Sequence, residues 1–459
     1  MKIPSIYLTS KRFRRRLKSK RKREKKRQTN NINDIHLIRE LGNNFSYENQ
    51  IKKWLSPNLK HILKSYDPKN YIYSDYTIDY AKSEYVIRIP KKFSLNTNPH
   101  ESLSFIYTLL IAFLSDNYKQ ITIDYEGSAN IDLSAQIYLD VILLDLIKFF
   151  KIKDKYRKIK PNLEGIGGKN IINDDIKKIL FSIGSPAVIN KTTRKYPDII
   201  PYKLCIHNKE KHNINNIKRK EIDTTTLVEH VMESLNMINK TLSSDSIQDL
   251  STVFGEILIN AEEHSTLKFR YSTGYFQKIN NEKMESAYGI YHLAIMNFGE
   301  TIYEKFKSPL CTNYSIVNKM RNLSAKYTKS GFFNRSFNEE SLWTLYALQE
   351  GITSVSTEKY KRGNGSIRFI ESFFNLKGSK DYDKISQLSI ISGNTSIIFD
   401  GTYEIGDKII GGEPFKIMTF NDSGDIEDAP DKRYVRHRKD YFPGTIITAK
   451  ILITEDDLL

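Results

Sequence analysis

Between Leu250 and Ala261 the apolar residues Leu250, Val253, Phe254, Ile257, Leu258 and Ala261 recur at intervals of mostly three and four. At about 100° per residue this spacing gathers them on one side of a helix packed on a core. Glu256, Asn260 and His264 follow one another four residues apart beside that face, so the pattern predicts a half-buried polar stripe. A carboxylate partly withdrawn from water costs free energy unless something pairs with it. The stripe therefore either caps and bridges neighbouring elements or meets a ligand.

The same reading extends along the chain. "NNINDIHLIRELGNN" and "ENQIKKWLSPNLKHILKSY" predict short helices broken at Gly42 and Pro57, giving a helical connector over 31–73. From about Ser74 strands and helices alternate: "EYVIRIP", then the helix "PHESLSFIYTLLIAFLSDN", the strand "QITIDYEG" and the long helix "DLSAQIYLDVILLDLIKFFK". Such alternation predicts an α/β domain over 74–204. The polar run "CIHNKEKHNINNIKRKEID" predicts a linker over 205–223. A second domain over 224–455 opens with two helices, continues with the strands "FRYSTGYFQ" and "GIYHLAIMNFG", and closes with the helix "GSIRFIESFFNLKG" and the strands "LSIISGNTSIIFDG" and "PGTIITAKILI". The predicted class is α/β, an α+β sandwich preceded by a smaller α/β domain.

Length and composition agree with this division. A chain of 459 residues, 39% hydrophobic and 12% aromatic, suffices for two or three domains with real cores. Cys205 and Cys311 fit neither a disulfide framework nor a zinc-ligand spacing, which points to a reducing, cytoplasmic setting. The longest apolar run, Phe105 to Leu114, is half a membrane span and reads as a buried helix; no membrane insertion is expected. No apolar segment of signal-peptide type follows the basic start. The formal charge of +17 is concentrated in "KRFRRRLKSKRKREKKRQ", Lys11 to Gln28, with 13 basic residues against one Glu. Such a block repels itself and cannot bury a core, so residues 1–30 read as a disordered tail suited to salt-sensitive binding of nucleic-acid phosphates.

Four elements now fall in one order: E-x-x-x-N-A-x-x-H on a helix, Asn-Phe-Gly ending a strand, Gly-Asn-Gly opening a helix, and Gly-Thr entering a late strand. This order resembles the GHKL ATPase superfamily (histidine kinase-like, Bergerat fold) over roughly Thr224 to Ile453. The resemblance implies bound ATP and Mg²⁺. Asn260 would ligate the metal, and Glu256 would orient or deprotonate the attacking group. His264 would support the site without transferring phosphate. Asn297 stands where the family has an Asp that accepts from the adenine amino group; its amide oxygen can still accept that bond. Gly299 is kept, while Thr301 replaces a second glycine. Lys361 and Arg362 would add positive charge, Gly363 and Gly365 would let backbone amides approach phosphates at a helix start, and Thr445 would lie near the adenine side. The sixty residues between the glycine motifs would form a lid, with "NEESLWTLYALQEGITS" predicting a helix that ends at Gly351 within a mobile closure element.

In the first domain, "ITIDYEGSANIDLSAQIYLDVILL" resembles anti-sigma-factor-antagonist (STAS) domains, with Asp132, Leu133, Ser134 and Ala135 where that family has Asp-Ser-Ser-Gly. Ser134 is then either a phosphoacceptor or part of a helix cap. His230 lacks the pattern of a kinase phosphoacceptor. The function implied is an Mg-ATP-dependent conformational switch that hydrolyses ATP. Alternatives are a protein serine kinase of the anti-sigma-factor type, and a non-hydrolysing nucleotide-binding scaffold associated with nucleic acid. An ATP-dependent homodimer is a further expectation of the resemblance.

Overall fold

The structure, a computed structural model, describes residues 55–114, 118–157, 165–188, 195–208, 214–263, 266–267, 269–279, 288–328, 337–352, 365–377, 385–410 and 413–453. In chain order the elements are α1 (Pro57–Lys64), β1 (Tyr76–Asp79), β2 (Glu84–Arg88), β3 (Lys92–Phe93), α2 (Pro99–Leu114), β4 (Gln120–Asp124), β5 (Asn130–Ile131), α3 (Leu133–Arg157), β6 (Gly165–Lys169) and α4 (Asp174–Ile183). There follow β7 (Ile199–Asn208), α5 (Ile214–Asn236), α6 (Ser244–Glu263), β8 (Phe269–Ile279), β9 (Tyr288–Phe298), α7 (Ile302–Lys307), α8 (Tyr314–Thr328) and α9 (Glu339–Ala347). The last are α10 (Gly365–Lys377), β10 (Gln387–Phe399), β11 (Gly406–Ile410), β12 (Glu413–Ile417) and β13 (Val435–Ile453). The expected mixed α/β class is what is observed. The basic tail and most of the expected connector lie outside the described residues.

The chain forms two compact units, and their boundary is not a single cut. The first takes residues up to 91, 100–128 and 139–171. Its sheet has the order β1-β2-β4-β6, with β2, β4 and β6 parallel and β1 antiparallel at the edge. Parallel neighbours need crossover connections, which α2 and α3 supply. α2 is buried on nearly every side, as its apolar run requires.

The second unit takes residues 92–99, 129–138 and 172–459. Its antiparallel sheet has the order β10-β13-β9-β8-β7. One face carries α5, α6 and α10: Tyr291, Leu293, Ala449 and Ile451 of the sheet line one apolar gap with Leu250, Val253 and Phe254 of α6 and Phe369 and Phe373 of α10. The opposite face meets Tyr138, whose ring packs on Phe298 and Phe442, and Asn96, which accepts a bond from Ser389 at 2.9 Å. Helices α7, α8 and α9 pack together beside β10 and β13 around Trp343, which is fully buried.

Three expectations change. Residues 205–223 are no linker in their described parts: Cys205 to Asn208 complete strand β7 and Ile214 onward is helix α5. Their polar residues hid the pattern because several are satisfied by buried partners rather than by water. The contiguous 74–204 domain gives way to interleaved segments, since the short strands β3 and β5 pair with each other and belong with the second unit. The helix expected to end at Gly351 stops at Ala347, and the described residues of the region hold three packed helices; Gly351 instead takes a left-handed turn at φ 77°.

Candidate functional site

One register row crosses the whole second sheet. Ser392 on β10 faces Thr445 on β13, Thr445 faces Asn297 on β9, Asn297 faces Arg270 on β8, and Arg270 faces His207 on β7. All five are polar and all are buried. Register partners share a face, and residues two apart along β9 share it too. Asn297 therefore lies on the side of Leu293 and Tyr291, the side covered by α6 and α10. Ser392 and Thr445 satisfy each other through their hydroxyls at 2.8 Å. The side-chain nitrogen of Asn297 is buried and has no hydrogen-bond partner. An unmatched buried donor costs about 1–3 kcal/mol, so its persistence asks for an acceptor from elsewhere.

Helix α6 delivers the polar stripe to the same strand ends. Its apolar residues are buried as the spacing requires, and Glu256 and Asn260 are half-buried. Glu256 Oε2 is buried without a partner, a second orphan polar atom. Beyond the helix, Thr266 Oγ1 accepts the Glu300 amide at 3.1 Å, tying the end of α6 to the turn after β9. Gly299 in that turn has φ 127°, and a Cβ there would lie 2.3 Å from Thr266 Oγ1. Glycine at this position is thus required for the close approach of α6 to the β9 end.

Helix α10 points its start the same way. Phe254 meets Phe369 with ring centroids 6.5 Å apart, while Leu250 and Phe373 border the same gap. Parallel helices would carry Leu250 toward Gly365 instead, so α10 runs antiparallel to α6. Asn260 lies roughly 9 Å beyond Phe254 along its axis, and Gly365 roughly 6 Å before Phe369. The Asn260 segment of α6, the amino end of α10 and the Asn297–Thr445 pair therefore lie toward one end of the helix-covered face. His264, Lys361, Arg362 and Gly363 lie outside the described residues.

Behind Asn297 sits an ionic cluster that the sequence reading missed. His207 Nδ1 is 3.1 Å from Asp223 Oδ2 and its Nε2 is 3.3 Å from Glu262 Oε1; an Arg270 guanidinium nitrogen is 2.9 Å and 3.4 Å from the same two carboxylates. Cys205 Sγ donates to Asp223 at 3.4 Å. Burial works to raise the Asp223 carboxyl, but the bond from His207, the Arg270 charge and the Cys205 thiol outweigh it and hold the group below the usual range. Nε of Arg270 is buried without a partner. His207, Asp223, Glu262 and Arg270 sit on β7, α5, α6 and β8, with no spacing that a sequence pattern could reveal; two of them fall in the stretch 205–223 that reads as a linker.

Two other candidates resolve into structural roles. Asp132 caps α3: its Oδ1 accepts the Ala135 amide at 2.8 Å and the Ser134 hydroxyl, and Ser134 is 1% exposed. His230 is buried between the Tyr291 hydroxyl and the Ile200 carbonyl, both at 3.1 Å, so Nε2 carries the proton and Nδ1 accepts. Burial lowers its pKa to about 4, partly opposed by the bond to the carbonyl.

Among the described residues no group of three or more His, Cys, Asp or Glu side chains could hold a metal ion, and no helix is long and apolar enough to cross a membrane. No protein-family profile matches the chain, and neither do any curated proteins or solved structures.

Proposed function

We propose that the second unit is a nucleoside-triphosphate-binding domain of the GHKL type, acting as an Mg-ATP-dependent switch. One observation carries the reading: the orphan polar atoms of Glu256 and Asn297 belong to two separate motifs, on a helix and a strand whose far ends are joined through Thr266. Unpaired buried polar groups are expected where a ligand completes the pairing. The flanking chemistry fits a nucleotide. Asn297 and Thr445 offer amide and hydroxyl groups to a base, and the amino end of α10 offers free backbone amides to phosphates. Asn260 supplies an amide oxygen suited to a hard cation that also keeps phosphate oxygens and waters. Mg-ATP bound there would supply an activated phosphoanhydride with its charge partly neutralised. Glu256 would hold and polarise a water as general base, one helical turn from Asn260.

The order β1-β2-β4-β6, with an antiparallel edge strand on a parallel core, supports a STAS-like reading of the first unit. Burial of Ser134 in a cap removes support for that residue as a phosphoacceptor. The block Lys11–Gln28 extends the proposal to salt-sensitive contact with nucleic acid.

The test compares Glu256→Ala and Asn260→Ala with the native chain. Glu256→Ala should keep nucleotide affinity while turnover falls roughly 10²-fold or more, because the group acts mainly in the transition state. Asn260→Ala should weaken Mg-nucleotide binding itself. Equal loss of melting temperature with unchanged affinity in both variants would assign the stripe to packing alone.

A further inference from the structure

The second unit carries a basic strand that the nucleotide reading leaves unused. From Lys432 to Lys439 the chain reads KRYVRHRK, five lysines and arginines and one histidine in eight residues, with no acid among them. Lys432, Arg433, Arg436, His437 and Lys439 are exposed where this stretch leads into β13. Its backbone is pinned. The β10–β13 register steps from Gly393 opposite Phe442 to Thr395 opposite His437, so residues 438–441 bulge against Asn394 alone. The Asn394 side-chain nitrogen donates to the carbonyls of Arg438 at 3.0 Å and Lys439 at 3.3 Å, and a bulge held in this way re-aims the side chains it carries. The cations are placed by their neighbours. Lys432 Nζ lies 5.4 Å from the Phe337 ring centroid, Arg433 lies 5.7 Å over Tyr434, and Arg436 donates to the Arg433 carbonyl. Several nearby acids are already engaged: Asp431 by Arg433, Asp425 by Lys408, Glu427 by Lys326 and Glu339 by Lys307. Among the described residues no carboxylate lies within ion-pair distance of Lys432, Arg436 or Lys439.

We propose that this strand is a nucleic-acid-binding surface, with Lys432, Arg436 and Lys439 contacting the phosphate backbone. The surface shares its class of partner with the tail at Lys11–Gln28 but none of its residues, and it stands apart from the nucleotide reading. A polyanion answers several like charges at once, and release of its condensed counterions drives the association. Side chains two apart along a strand are about 7 Å apart, and a nucleic-acid strand offers a phosphate about every 3.4 Å of helix axis, so a phosphate lies within reach of each cation. Cations already held on aromatic rings and carbonyls lose less freedom on binding. A lipid surface fits less well. Attachment of a basic segment to a bilayer interface draws on apolar side chains that enter it, and here Val435 is buried and Tyr434 is half-buried with Arg433 over its ring.

Fluorescence anisotropy of a labelled oligonucleotide, titrated with the full chain over a series of salt concentrations, tests this. The variant combining Lys432→Ala, Arg436→Ala and Lys439→Ala should lower the slope of log affinity against log salt by about 2 to 3, because three phosphate contacts are lost. Arg436→Lys keeps the charge and should keep the native slope. Lys439→Glu alone, at an exposed bulge position, should weaken binding roughly tenfold and decides the matter if the triple variant loses its fold. The same titration with phosphatidylserine vesicles separates the two polyanionic partners. Vesicle binding as tight as oligonucleotide binding, and equally sensitive to these substitutions, overturns the nucleic-acid assignment. A native slope in the folded variants overturns the surface and leaves the tail as the nucleic-acid contact. Failure of the native chain to bind any oligonucleotide overturns both.

Discussion

At the residue scale the second unit holds His230 buried and His292 half-buried, both neutral, and these give a pH dependence whose sign can be derived. His230 is lowered to about 4 by burial, and His292, stacked on Tyr275 at 4.3 Å, is lowered to about 3 by burial and by Lys450. Both regain an ordinary value near 6.5 on unfolding. The unfolded chain therefore binds more protons than the native one between pH 6.5 and the native values, so stability falls as pH drops through that window. Each histidine should remove about 2 kcal/mol between pH 7 and pH 5. Denaturant unfolding at the two pH values checks this, and His230→Gln should flatten its share. A stability unchanged between pH 7 and pH 5 would contradict the neutral assignment. The residue scale is also where the sequence was least legible. Glu256 and Asn260 were found because four-residue spacing on one helix is visible in a string of letters. The row from His207 to Ser392 was not, because its members lie in five separate strands, and only the register brings them together.

At the element scale the strands and helices with strong periodicity were foreseen: α2, α3, α6, α10, β8, β9 and the second half of β13 all lie where the apolar pattern put them. Elements with polar faces were missed. Strand β7 is the edge of the sheet among the described residues and alternates only loosely, and the amino-terminal part of α5 is Asn- and Lys-rich, so both read as linker. Between elements, the approach of β13 to β9 depends on Gly444. It has φ 151°, and a Cβ there would lie 2.1 Å from the Asn297 carbonyl oxygen and 2.8 Å from Phe298 Cα. Backbone in the middle of a sheet cannot retreat as a flexible side chain can. Gly444→Ala should therefore cost about 3 kcal/mol or more, combining overpacking with a strained φ. Because the displaced strand carries Thr445 beside Asn297, nucleotide affinity should fall in whatever fraction remains folded. Thermal unfolding together with nucleotide titration separates the two effects, and a variant with native melting and native affinity would refute the close approach.

At the scale of the whole molecule the difficulty was topological. A division at 204/224 follows composition, since a charged, asparagine-rich stretch looks like a boundary. The second unit instead recruits residues 92–99 and 129–138 from within what sequence order assigns to the first. Short strands such as β3 and β5, two residues each, leave no periodic trace, so nothing in the letters marks them as borrowed. The consequence is a prediction about fragments. A chain beginning at Thr224 lacks β7 and the amino-terminal part of α5, leaving β8 as an unprotected edge, and it loses His207 and Asp223 while keeping Arg270 and Glu262 buried. It also loses Tyr138, which covers Phe298 and Phe442. Such a fragment should aggregate or show no cooperative unfolding. A chain beginning at Ile172 restores the strand and the ionic cluster but still lacks Asn96 and Tyr138, so it should fold with a lower melting temperature than the full chain and expose apolar surface to a hydrophobic dye. Comparing solubility, melting and dye binding across the three chains orders them as 224–459, 172–459 and full length in rising stability. A Thr224 fragment as stable as the full chain would show that the compositional boundary, and not the interleaved one, is where this protein divides.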